Sequence, residues 1–149
     1  MSTSGSESVD EQMTKILETS RVIAVVGWSD REDRPSHGVA NYLRKQGHQV
    51  IPVNPRLAGQ KWSEQVIYSS LAEIPERVDL VDVFRRPEYT PAHAVEAVQI
   101  EARYLWLQLG ILNDDAMAIA REGGLVAIQD RCTQIEHLRL IRGIVIPTS

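Results

Sequence analysis

Five consecutive apolar residues, Val22-Ile23-Ala24-Val25-Val26, run into Gly27, a long polar loop and then a helical pattern beginning near Ser36. So short and unbroken a run reads as a strand covered on both faces, the habit of parallel sheets. A strand buried on both sides needs helices above and below it, with right-handed crossovers to return the chain. The same arrangement sets a helix N-terminus opposite the strand's exit, where unpaired helix N–H groups can hold a phosphate. The stretch Val22 to Tyr42 is therefore a candidate site for a nucleotide-type ligand.

The remaining chain repeats this alternation. Met13, Ile16 and Leu17 place one apolar stripe on a short helix between Asp10 and Ser20, expected to lie against the sheet. After the first strand, which we expect to be central, Ser36 is a candidate N-cap for a helix carrying Val39, Ala40 and Leu43 and ending at Gly47. A second strand, Gln49 to Val53, is cut off by Asn54-Pro55. Residues Arg56 to Ser70 are irregular, with a brief edge strand expected at Val66 to Tyr68 and one helical turn at Leu71 to Ile74. Val78 to Phe84 reads as a strand interrupted by Asp79 and Asp82. Thr90-Pro91 opens a helix as N-cap and N1, and Tyr104 to Leu109 is the next strand. Asn113 caps a helix ending at Gly123-Gly124, Leu125 to Ile128 is the last strand, and Ile135 to Ile141 is a final helix. The expected fold is α/β: a Rossmann-like, doubly wound, mainly parallel five-stranded sheet with helices on both faces.

At 149 residues and 43% hydrophobic, the chain has the size of one domain with a substantial core. Residues 1–9 are small and polar and read as a disordered tail, leaving 10–149 as a single domain. A net charge of −4 argues against a general nucleic-acid binder, which needs a basic face. The single cysteine excludes an internal disulfide framework, and no apolar run approaches the roughly 20 residues of a membrane helix. Met1 to Asp10 lacks the apolar core of a signal peptide, so a cytoplasmic, soluble protein is expected.

In open parallel sheets, ligands bind beyond the carboxyl ends of the strands. Those ends read Gly27-Trp28-Ser29, Asn54-Pro55-Arg56, Phe84-Arg85-Arg86, Gln108-Leu109-Gly110 and Asp130-Arg131-Cys132, with arginine at three of the five. The fingerprint G-x-G-x-x-G is absent, and Asn54 and Arg56 stand where an NAD site commonly has an acid for the ribose. Arginine suits a phosphorylated ribose, present in NADP and in coenzyme A. Arg34, Arg56, Arg85, Arg86 and Arg131 could together pair with the three phosphate groups of CoA. Asp30, Glu32 and Asp33 in the first loop would oppose an anion unless they face solvent.

Other candidates are weaker. His37, His48, His93 and His137 lack the spacing of a metal pair, so no metal site is expected. Cys132 and His137 fall about 140° apart on a helix, which disfavours a dyad. Cys132 beside Arg131 leaves open a stabilised thiolate, or a thiol meeting the thiol end of a bound coenzyme. Trp28 and Trp106 read as core or pocket wall, Trp62 as an exposed aromatic that could mark an interface. Ser29 and Ser36 read as turn and cap residues, since no G-x-S-x-G elbow is present.

AVVGWSDREDRPSHGVANYL at 24–43, IPVNPR at 51–56, DLVDVFRRPE at 79–88, LWLQLGI at 105–111 and DRC at 130–132 carry a resemblance. The chain resembles the small stand-alone CoA-binding domain proteins of bacteria and archaea, similar to the N-terminal CoA-binding domain of the succinyl-CoA synthetase alpha subunit. The resemblance implies that CoA lies across the strand exits. Gly27, Ser29, Arg34 and Ser36 would surround its pyrophosphate, and Asn54 and Arg56 would lie toward the adenosine. Arg85, Arg86, Gln108 and Arg131 would complete the pocket. It implies no catalysis, because the synthetase's phosphohistidine belongs to a second domain. The expectation is a cytoplasmic module that binds CoA or an acyl-CoA as carrier, sensor or partner of a separate enzyme. A homo-oligomer is also open. The alternatives are an NADP-dependent enzyme using the same pocket, with Arg56 reading the 2′-phosphate, and an interaction domain with a vestigial site.

Overall fold

The computed structural model describes residues 7–145. Of the expected N-terminal tail, residues 1–6 lie outside the described residues. Ser8 and Val9 already belong to ordered structure: α1 spans Val9–Thr19, and the Ser8 side chain accepts from the Glu11 N–H while Glu11 reaches back to Ser8. This reciprocal cap satisfies two otherwise orphaned donors, which starts the helix one residue before the apolar stripe suggests.

The main sheet contains β1 (Val22–Val26), β2 (Gln49–Val53), β5 (Leu80–Val83), β6 (Tyr104–Leu107) and β7 (Val126–Ile128). Its order is β2-β1-β5-β6-β7, and every pairing is parallel. The expected central position of β1 needs correction: β1 is an interior strand one place from the edge, and β5 is central. The chain winds outward from β1 in one direction to β2 and in the other to β5, so strand order reverses between β1 and β5.

Helices cover both faces. On one, α1, α2 (Pro35–Lys45) and the C-terminal helix pack Met13, Ile16, Leu17, Val39 and Leu43 against Ile23, Val25 and Leu80. On the other, α3 (Thr90–Gln99) and α4 (Asp114–Glu122) pack Ala94, Ala97, Ala116 and Ala120 against Ala24, Val26, Val81 and Val83. The alanines let α3 and α4 approach closely, and a Cβ on Gly123 would fall 2.5 Å from Val98 Cγ2.

Three local expectations change. The edge strand expected at Val66 to Tyr68 is instead a small antiparallel hairpin, β3 (Lys61–Trp62) and β4 (Gln65–Val66), plus an isolated bridge from Tyr68 to Val53. Thr90 is the first residue of α3, and its hydroxyl donates to the Pro87 carbonyl at 2.7 Å across a preceding 3-10 turn. The final helix begins earlier, with α5 at Thr133–Glu136, and continues as a π-helical turn at His137–Ile141. Among the described residues, no helix is long and apolar enough to cross a membrane.

Candidate functional site

The chain leaves β1 through Gly27, beside the exit of β5, where the Phe84 N–H still donates to the Val26 carbonyl at 2.8 Å. Gly27 has φ of +82°, and a Cβ there would overlap the Phe84 carbonyl oxygen at the exit of β5. Two strand exits are thus held closer than any side chain at this position would permit.

The loop that follows is tied down by its own polar groups. The N–H groups of Gly27 and Trp28 both donate to the Val53 carbonyl, at 3.1 and 3.3 Å. The Ser29 N–H donates to Ser36 Oγ at 3.0 Å, and Asn54 Nδ2 donates to the Trp28 carbonyl at 2.8 Å. Two sequence-based readings are corrected by these bonds. Ser36 is the second residue of α2, not its N-cap; Arg34 takes the cap position with extended backbone and no side-chain cap, and Pro35 is N1. The amides of residues 27–29 are already bonded, and Pro35 brings no N–H, so the positive charge at this mouth comes chiefly from guanidinium groups.

A cavity of about 880 Å³ opens here. Its walls include Gly27, Ser29, Arg34 and Ser36 from the first loop, Asn54 and Arg56 after β2, Arg85 and Arg86 after β5, and Gln108 after β6. Nine of the ten residues singled out in the sequence therefore meet around one space. Arg131 does not: its side chain turns to Glu136, with Nη1 3.9 Å from Oε2. Arg31, Trp28 and Cys132 also line the cavity. Arg31 escaped sequence reasoning because it sits among the loop acids, whose alternation with arginine gives no sign of which side faces inward.

The acids resolve cleanly. Asp30, Glu32 and Asp33 are exposed, none lines the cavity, and Asp33 accepts from Arg31 Nη2 at 3.1 Å. The aromatic residues form a buttress behind α2. Trp28 is buried and stacks against Trp62 and His37 at 5.4 and 5.5 Å. Trp62 is therefore half-buried and covered by the Arg44 guanidinium 4.0 Å from its ring, not an exposed marker.

At the opposite end, the floor conceals a buried polar triad that the sequence showed only as a break in an apolar run. Asp82 is fully buried in β5. Gln108 Nε2 donates to Asp82 Oδ1 at 2.6 Å and to Thr133 Oγ1 at 2.8 Å, and Thr133 Oγ1 donates to Asp82 Oδ2 at 3.0 Å. Burial pushes the Asp82 carboxyl up to about 7, and the two hydrogen bonds offset only part of that. Gln108 thus reaches the cavity while its amide is spoken for by Asp82 and Thr133. Cys132 next to it is half-buried, and burial, with smaller contributions from Asp82 and Glu136, raises its thiol. The option of a stabilised thiolate beside Arg131 is corrected accordingly.

The all-parallel sheet, with an arginine-lined cavity at the point where strand order reverses, defines a Rossmann-like domain. Comparison with known proteins makes this specific. Residues 21–138 match the CoA binding domain family, and the chain belongs to that family. It is 40% identical over 126 residues to the uncharacterized protein YneT of Bacillus subtilis (strain 168), covering 85% of this chain and 92% of that protein. Among solved structures, a protein from Thermus thermophilus (cell-free ID.343) is 36% identical with a TM-score of 0.84, covering 89% of this chain and 99% of that one. A hypothetical protein from Pyrococcus horikoshii OT3 is 33% identical, also with a TM-score of 0.84, covering 90% and 93%.

Proposed function

We propose that the cavity binds coenzyme A or an acyl-CoA, and that the protein is a cytoplasmic, non-catalytic binding, carrier or sensor domain spanning residues 10–149. The observation that carries the reading is the convergence of Arg31, Arg34, Arg56, Arg85 and Arg86 on one cavity in a chain of the CoA binding domain family. Five guanidinium groups, of which Arg31 is paired with Asp33, face a ligand with three phosphate groups, and no loop acid lines the cavity. Gly27, Ser29, Arg34 and Ser36 would meet the pyrophosphate, Asn54 and Arg56 the adenosine end, and Arg85, Arg86 and Gln108 would complete the pocket. Arg131 would act at most at long range. A binding role is supported by the lining itself: among the described residues that form it there is no histidine or carboxylate, and burial raises the Cys132 thiol. A separate enzyme would then use the bound thioester.

Thermal unfolding with CoA and NADP in parallel tests this. CoA at about 100 times its dissociation constant adds roughly 2.7 kcal/mol of stability. A shift with NADP and none with CoA would instead support the nicotinamide enzyme.

A further inference from the structure

The sheet order sorts the cavity wall by chemistry. The arginines come from the exits of β2, β1 and β5, whereas the exits of β6 and β7 contribute Leu109, Ile111, Cys132 and Ile135. We propose that the β6/β7 end of the cavity takes the acyl group of a CoA thioester, and that it selects hydrocarbon acyl groups over those ending in a carboxylate. This rests on the CoA reading of the cavity, because only the arginine end has charge for phosphates and the neutral arm must then run toward β6 and β7.

Two further observations bear on selectivity. No charged side chain lines this end among the described residues. Arg131, the nearest in sequence, is turned to Glu136, and Arg139 is engaged by Glu136 and Asp10, with Nη2 2.7 and 2.8 Å from their oxygens. A carboxylate entering here would lose its water without gaining a cation. A methyl-terminated chain against Ile111, Leu109 and Ile135 meets apolar surface instead.

Butyryl-CoA and succinyl-CoA have acyl groups of equal carbon number and differ at the terminus, so titration calorimetry of the full chain with CoA, butyryl-CoA and succinyl-CoA isolates the effect. The expected result is butyryl-CoA about tenfold tighter than succinyl-CoA, with CoA between them. Equal affinities, or tighter succinyl-CoA, with CoA itself bound, would overturn the acyl assignment alone. Failure of all three to bind would remove the CoA reading and this proposal with it. Ile135→Arg, at a half-buried wall position, should narrow the ratio at least threefold by supplying a cation; an unchanged ratio in the folded variant would place the acyl group elsewhere.

Discussion

Gln108 donates to Asp82 at 2.6 Å, joining the exit of β6 to the middle of β5 where no solvent reaches. This bond couples a cavity-lining residue to a carboxyl held near neutrality. The unfolded chain ionises Asp82 near pH 4, but the folded protein holds its proton up to about 7. Between those values the folded state binds more protons, so its stability should fall as pH rises and level off above pH 7. Each pKa unit is about 1.4 kcal/mol, so the loss is a few kcal/mol. Asp82→Asn, which retains a donor and an acceptor, should flatten this part of the profile. Urea unfolding at pH 4.5, 6 and 8 would show it, and an unchanged slope would rule out Asp82 as its source.

His137 should act with the opposite sign. Its Nδ1 is 2.8 Å from the Tyr42 hydroxyl, its ring is 6.0 Å from that of His48, and burial, aided by the charges of His48 and Arg142, lowers its pKa below 6.5. The unfolded chain then takes up the proton first, so this contribution is present above pH 6.5 and lost as pH falls through the folded value. His137→Gln should reduce the acid sensitivity below about pH 6.5. The same urea series detects it as a change in slope in that interval.

Gly27→Ala should destabilise the fold by at least about 2 kcal/mol, through left-handed backbone and overlap with the Phe84 carbonyl. Gly38, with open space around it in α2, provides the contrast: Gly38→Ala should be neutral or stabilising by up to about 1 kcal/mol. Denaturant midpoints of the two variants suffice to compare them.

Among the arginines, Arg34→Ala and Arg85→Ala should each cost about 1.5–3 kcal/mol of CoA affinity, the usual value of a charged hydrogen bond. The Arg85 guanidinium is held 4.8 Å from the Tyr89 ring, which positions it before a ligand arrives. Arg131→Ala should change affinity by less than about 0.5 kcal/mol, because its exposed side chain faces Glu136. Calorimetric titration with CoA ranks all three, and a large loss at Arg131 would contradict the cavity as drawn.

Much of the fold was legible because it rests on local pattern. The apolar runs at 22–26 and 49–53 and the capping residue Asn113 all form the elements their chemistry dictates. The errors came where a tertiary bond outranked a local preference. Ser36 has the chemistry of an N-cap, but its hydroxyl is drawn to the Ser29 amide. Trp62 looked exposed because nothing local announces that Arg44 and Trp28 will cover it.

By itself the sequence determined the doubly wound sheet and the concentration of arginine beyond its strands, since periodicity, glycine and proline act over a few neighbouring residues. Only the tertiary structure decided which side chains share a space. It brought Arg31 in and turned Arg131 away, faced three acids outward, and buried Asp82 beneath Gln108. Those outcomes depend on strand order and on hydrogen bonds between residues far apart in the chain, and no pattern read along a single segment carries that information.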